Sequence, residues 1–598
     1  MNSKIWSSLI MLFGVLSPIG VGQVQAIWNV PTPASSIQFA ITASSPGDII
    51  LVGAGTWNER IDFLGKDVHV IGQGPGVTIL DAGDAGPGVR FASGEGPGAI
   101  LEGFTIQSGR GDSVCQGLVC FWSGGGVLVY GSSVGYTFPF TDPVIRNCEI
   151  VGNFATLGSG VFVFGFARAT LEDVHVTANS NVDPLGLSTS PPTAGASIHA
   201  CLNSMLILRR VTVDGNLHAG VSIEDGNSPS LIEDCDISNN SGTGVVLLGP
   251  SHVVRRTRIT GNSAVSYAGG ILLGGAYANL PVLLEDCLIA NNSAGVLGGA
   301  LHSDSFGYLD VRGSTFYGNT APVGSLIWCA GFGAFAFRNC ILRGHGPNPT
   351  NFTAPQVGGA TYEFCCVEGG APGPGNFDLD PLFVDASAGD FHLDPGSPCV
   401  DAGSNALATG LTTPHLDGLD GDPRPQFGVI DMGVDECTFV GLSSTMAGGV
   451  LGPLGAPVDL LTVNGSSGDS ARRVDVSPSQ SLSFAMASPP GATGGSPFAI
   501  FGALGVPSLD AATTLPSGIG TMAFAPCPLV PFWGDVFFTL TNNVTPLPCG
   551  QLIGSYPAPW TSPTIPPLGI PVRFTVQGVV TRADGTLGVT NGVVVVVE

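Results

Sequence analysis

Apolar and polar positions alternate along this chain in bursts of three to five residues, and each burst ends at a small or turn-forming residue. One burst, Ile145-Arg-Asn-Cys148-Glu-Ile150-Val-Gly-Asn153, sets a pattern that keeps returning. It recurs as Leu171…Val174…Val176…Asn179, Leu208…Val211…Val213…Asn216, Ile232…Cys235…Ile237…Asn240 and Val254…Thr257…Ile259…Asn262. Leu284…Cys287…Ile289…Asn292 and Val311…Ser314…Phe316…Asn319 follow; Phe337…Cys340…Leu342 carries His345 in the Asn place, and Leu101…Phe104…Ile106 is an earlier copy without the Asn. From Cys148 to Cys340 the central positions are 26, 37, 24, 22, 30, 27 and 26 residues apart. Offsets inside the motif stay fixed while the connecting lengths vary, as in stacked rungs with loops of free length.

The alternation has the period of strands. A second small-then-apolar strand follows several motifs, at Gly160-Val161, Gly220-Val221, Gly244-Val245 and Gly270-Ile271. Abundant Gly and β-branched residues exclude a helical repeat. The expected fold is all-β: a right-handed parallel β-helix of about ten rungs, ~4.8 Å apart. Asn153, Asn179, Asn216, Asn240, Asn262, Asn292 and Asn319 then stack as a structural ladder, because each amide both donates and accepts. Ser35 and Ser36 predict the cap of a short helix with Ile37, Ala40 and Ile41 on one face, covering the open apolar end ahead of a strand at Ile49–Val52.

These features carry a resemblance. Ser36-Ile-Gln-Phe-Ala-Ile-Thr-Ala-Ser-Ser-Pro-Gly-Asp48, Gly55-Thr-Trp-Asn-Glu59 and the rungs resemble secreted bacterial right-handed β-helix proteins of the pectate-lyase-like superfamily, over roughly residues 27–375. Gly298-Gly-Ala-Leu301 and Phe316-Tyr-Gly-Asn319 also resemble repeats of polymorphic outer-membrane proteins. The likeness is specific for fold and not for activity. Residues 376–437, with Asp378-Leu-Asp-Pro-Leu-Phe-Val-Asp385, Gly389-Asp-Phe-His-Leu393, Asp420-Gly-Asp-Pro-Arg-Pro425 and Asp431-Met-Gly-Val-Asp-Glu436, resemble the tail of "choice-of-anchor" surface proteins, which implies surface display. From 438 to 598 the rungs stop, and segments such as Val458–Val463, Leu482–Ala487, Asp535–Leu540, Val572–Val580 and Val593–Val597 read as a small β-sandwich.

Composition narrows the function classes. Among 598 residues only 20 are basic against 45 acidic, a net charge of −25, so there is no basic stripe for nucleic acid. Residues 1–26 read as a signal peptide, with Lys4, the apolar Leu9–Leu16 and the small-residue site Val24-Gln25-Ala26, and no later segment is long enough to span a bilayer. A secreted or cell-surface monomer is expected. The 14 cysteines suit an oxidising compartment. Cys148, Cys235, Cys287 and Cys340 share one inward offset two or three rungs apart, too far to bridge, whereas Cys115–Cys120 and Cys527–Cys549 are the expected disulfides.

Charge is patterned too. The position two before the centre runs Arg146, Glu172, Arg209, Glu233, Arg255, Glu285, Arg312, alternating at every rung; the next runs Asn147, Asp173, Arg210, Asp234, Arg256, Asp286. Stacked, these form ladders of opposite charge that set register. The superfamily resemblance implies lyases with an Arg or Lys base beside acidic Ca²⁺ ligands, or hydrolases with clustered Asp, and neither motif is found here. Glu224 and Asp225, with Asp214 and His218 nearby, are the best acid/base candidates, expected at one edge; His199, His302 and Asp304 are also left over. Tyr130, Phe164 and Trp328 are read as sharing the register of Glu224, either stacking on sugar rings or covered by a loop or a neighbouring domain. Asp417, Asp420 and Asp422 offer oxygen ligands for Ca²⁺, although Asp-Gly turns account for the same residues. The expected function is binding or adhesion, with polysaccharide or cell-envelope components as partners. The alternatives are a polysaccharide lyase or glycoside hydrolase, and a structural envelope component.

Overall fold

The computed structural model describes residues 25–437 apart from 33, 117–118, 132–140, 182–194, 225–227, 276–279, 304–306, 331–332, 346–349, 353–358, 395–396, 409–418, 421–423 and 425–428; beyond 437 it describes the backbone of strands between Leu461 and Val597. The signal-peptide reading rests on residues that are nearly all outside this set.

Each rung crosses three sheets and turns three times. In one of them Val144–Arg146 lies on the first sheet, the chain turns at Asn147, Glu149–Val151 lies on the second, and after Asn153 it reaches Val161–Phe164 on the third. Ile145, Cys148, Ile150, Val161 and Val163 point inward and are buried. Repetition builds three parallel sheets of 13, 12 and 11 strands, so the solenoid has about eleven turns rather than ten. The extra turns come from short strands before Leu101, such as Gly55–Trp57 and Ile61–Asp62, which lack the Asn signal. One apolar core runs from Val30 to Val367.

The asparagines form a continuous chain of hydrogen bonds. The Asn240 Oδ1 accepts from the backbone N–H (3.2 Å) and Nδ2 (2.9 Å) of Asn216, and the Asn240 Nδ2 donates to the Val213 carbonyl at 2.9 Å. The same geometry repeats from Asn153 to Asn319. The other turn has a signature that alternation does not reveal. Asn147, Asp173, Arg210, Asp234, Arg256, Asp286, Gly313, Asn339 and Phe364 all take φ between 44° and 55°. Asn, Asp and Gly tolerate that left-handed conformation best, which accounts for their recurrence there.

The helix Ile37–Ala43 covers the N-terminal end with Ile37, Ala40 and Ile41 buried; the Ser36 hydroxyl caps it by accepting from the Phe39 N–H. The Glu59 carboxylate accepts from the N–H groups of Ile37 and Gln38 at 2.9 and 3.0 Å, so the Gly55–Glu59 motif serves to hold the cap. At the other end the antiparallel pair Phe383–Asp385 and Asp390–Leu393 belongs to a tail that lies on the second sheet, where Phe391 and Val434 pack on Leu288, Ala290 and Tyr317. Cys115 and Cys120 form a disulfide, and Cys148, Cys235, Cys287 and Cys340 are free and buried. The Cys527–Cys549 pairing lies outside the described side chains.

The described C-terminal strands form a three-stranded sheet, a five-stranded sheet and two two-stranded pairs, with Leu587–Val597 between Arg473–Val476 and Val572–Thr581 in the largest. No helix among the described residues is long and apolar enough to cross a membrane.

Candidate functional site

The charge columns are in register from Glu102 through Arg146, Glu172, Arg209, Glu233, Arg255, Glu285 and Arg312 to Arg338 and Glu363. Alternation fails once, where Arg312 meets Arg338, and there Asp310 bonds both guanidinium groups. Glu233 is nearly buried and is held by Arg209 at 3.3 Å, Arg255 at 2.5 Å and Arg256 at 2.7 Å. This column is therefore more than a set of exposed pairs.

The expected acid/base group is not assembled. Asp214 ends the strand Thr212–Asp214 on the second sheet and pairs with His175 Nε2 at 2.7 Å. His218 is buried in the next turn, and burial holds its imidazole down at about 4. Glu224 lies beyond the whole strand Ala219–Ile223, which at ~3.3 Å per residue spans roughly 16 Å. It accepts from the Ser222 hydroxyl at 2.8 Å and faces His199 Nδ1 at 4.0 Å. The expectation of one shared edge fails because a strand separates the two turns. Asp225 and Asp304 lie outside the described residues. Tyr130 does stack on Phe164, but Phe164 is buried with Phe162 under Val114 of the Asp112–Gln116 strand. Trp328 is not in the Glu224 column; it is in register with His302 and Leu272, in the column that also holds Ser222.

Asp420 belongs to the contact between tail and solenoid; Asp417 and Asp422 lie outside the described residues. Asp420 bonds Arg258 of the second sheet and, at 2.9 Å, His392 Nε2, while Asp390 takes His392 Nδ1 at 2.5 Å and Asp435 lies 3.1 Å from Nε2. Bonds to Asp420 and Asp390 hold the imidazole protonated, with its pKa pushed up to about 9. The ligand atoms of His392, Asp420 and Asp435 lie within 4.8 Å of one another. One imidazole with two carboxylates suits a first-row divalent ion better than Ca²⁺, which prefers an all-oxygen cage. In the arrangement seen, Arg258 and the imidazolium meet the carboxylates, and Asp420 latches the tail to the solenoid.

A second contact is deeper. Arg424 is buried, bonding Asp286 at 2.7 Å, Glu436 at 3.0 Å and the carbonyls of Asp431 and Gly433 at 3.1 and 2.9 Å. Burial still pushes Asp286 up to about 7, Arg424 notwithstanding. Sequence reasoning singled out both the Asp-Gly-Asp-Pro-Arg-Pro and Asp-Met-Gly-Val-Asp-Glu segments; nothing local shows that Arg424 and Glu436 meet.

The surface best suited to a ligand is the edge where the chain turns from the second sheet to the third. Trp122 (53% exposed) stands there beside the Arg110 guanidinium at 5.5 Å, and the backbone joins this region to the next rung through Arg110–Phe154 and Ser123–Leu157 bridges. Further along the same edge are Leu217, Val265, Tyr267 and Val296, all at least 45% exposed. Tyr267 stacks on His302 at 5.1 Å, and His302 on Trp328 at 4.5 Å, so three rings from three successive rungs form a column. His302 and Trp328 share an offset and were within reach of sequence reasoning; Tyr267, in a turn of variable length, gave no signal.

Residues 194–363 match the family model described as right handed beta helix region, which agrees with the solenoid. No curated protein matches the sequence. Among solved structures the chain is similar to pectate lyase Pel9A, at 14% identity over 69% of this chain and 96% of that one, with a TM-score of 0.39. It is also similar to a siphovirus 9NA tailspike receptor binding domain, at 10% identity over 61% and 81%, with a TM-score of 0.22. Neither likeness carries an argument about chemistry.

Proposed function

We propose that this is a secreted or cell-surface protein acting in binding or adhesion, and that the edge bearing Trp122 and Tyr267 receives an extended neutral polysaccharide. The spacing of the two exposed rings supports this reading. They lie about five rungs apart on one edge, roughly 24 Å at ~4.8 Å per rung. That length suits a polymer lying along the solenoid axis, with Leu217 between the two platforms. Aromatic faces pack on the C–H faces of sugar rings, and such contacts are worth about 1 kcal/mol each. Charge supports a neutral ligand, because a chain of net charge −25 repels an acidic polymer at low salt.

The test is a panel of neutral and acidic polysaccharides, scoring binding and product release together. A neutral polymer is expected to bind without release of oligosaccharides. Trp122→Ala and Tyr267→Ala are each expected to weaken binding about five-fold, and the pair about twenty-five-fold. Equal binding by both variants would refute the site, and oligosaccharide release would favour the lyase or hydrolase reading.

A further inference from the structure

The tail is fastened at Arg424 and Asp420 by charge, and a third contact between tail and solenoid has different chemistry. Cys366 lies in Cys366–Val367, the last strand of the second sheet, paired with Ile341. Cys399 lies in the tail, where its carbonyl accepts from the Met432 N–H at 3.0 Å. Both cysteines are fully buried in one small apolar cluster with Ile341, Leu393, Met432 and Cys437. The two thiols share this cluster, and the Cys366 thiol donates to the Leu379 carbonyl at 3.0 Å. The inward cysteines Cys148, Cys235 and Cys287 lie instead in the long solenoid core, where each thiol also donates to a nearby main-chain carbonyl.

We propose that Cys366 and Cys399 form a disulfide that fastens the tail covalently to the last rung of the solenoid. A disulfide donor such as oxidised glutathione supplies the oxidising equivalents. The Cys366 thiolate attacks one sulfur of the donor, forms a mixed disulfide and expels the first donor thiolate. The Cys399 thiolate then attacks Cys366 Sγ and expels the second. The two protein protons end on the two donor thiols, and the protein loses two hydrogen atoms. Cys366 belongs to a strand of the solenoid and is in place before the tail docks, which suits it to the attacking role. Because both sulfurs are buried once the tail is docked, the exchange belongs to folding, before the tail closes, and the finished bond is shielded from reductant.

The experiment is oxidative refolding of the full chain in a glutathione buffer, alkylation of remaining thiols, and peptide mapping without reduction. Tandem fragmentation separates Cys366 from the adjoining Cys365. The expected result is a Cys366–Cys399 cross-link, together with slower proteolysis of the tail than in protein refolded under reductant. Cys399→Ala is expected to abolish the cross-link and the protection, and Cys437→Ala to leave both. Should Cys399→Ala not fold, the wild-type map alone decides. Recovery of Cys366 and Cys399 as alkylated thiols, or a Cys399–Cys437 cross-link, would overturn the proposal.

Discussion

Arg424→Met tests whether the tail is held by its buried guanidinium. The change keeps most of the side-chain length and removes the charge and the donors. Asp286 and Glu436 then lose the cation that they face at 2.7 and 3.0 Å, and the carbonyls of Asp431 and Gly433 lose donors. Breaking a buried pair by removing one partner costs about 3–5 kcal/mol, because the other charge stays buried. Asp286 sits at about 7 and can protonate, so part of that cost is relieved and the lower end, ~3 kcal/mol, is expected. Asp286→Asn combined with Arg424→Met removes one stranded carboxylate as well, so the double variant is expected to lose less than the sum of the singles by more than ~1 kcal/mol. The assay is urea unfolding alongside limited proteolysis near residue 420, with far-ultraviolet circular dichroism following the solenoid. The tail is expected to become protease-sensitive while the solenoid signal persists. A loss under ~1 kcal/mol, or strict additivity in the double variant, would refute the reasoning.

Three further outcomes are expected. Burial raises Asp286 to about 7 and Asp401 to about 6, so between the ordinary 3.8 and those values the folded state holds protons that the unfolded chain has released, and stability falls as pH rises. His392 holds Asp420 down at about 2, and that contribution is present above 3.8 and lost as pH falls toward 2. Tail protection is therefore expected to peak near about pH 4 and to fall toward pH 7, and a flat profile from pH 4 to 7 would contradict these assignments. Asn240→Ala removes the acceptor of two Asn216 bonds and the donor to Val213, and thermal or urea unfolding is expected to show a loss of about 3 kcal/mol; a loss under ~1 kcal/mol would deny the ladder a structural role. Glu233→Arg places a fourth guanidinium among Arg209, Arg255 and Arg256, and should lower the melting temperature, more so at low salt; no change at low salt would mean that the column does not hold register.

Fixed offsets with free loop lengths were enough to read the solenoid from the chain. Inward Ile145 and Ile150, the Asn at a constant distance behind them, and the alternating charges each repeat locally, and a rung sees little beyond its two neighbours. The terminal helix was readable for the same reason, since Ser36, Ile37, Ala40 and Ile41 lie within one short segment. The left-handed turn was partly visible as a run of Asn and Asp, but Arg210 and Arg256 hid it, because their charge offered another explanation. The acid/base group failed on distance: ten residues from Asp214 to Glu224 are close along the chain, yet five of them form a strand that carries Glu224 to the far end of another sheet. The tail's contacts were beyond local reasoning altogether. Arg424 meets Asp286 across 138 residues, Arg258 meets Asp420 across 162, and Cys366 meets Cys399 only because the tail returns over the last rungs. Periodic sequence determines a repeating backbone because each repeat is satisfied by its neighbours. Which charges are buried, which thiols face each other and which rings stay exposed depends on where a non-repeating segment folds back, and only the tertiary structure decides that.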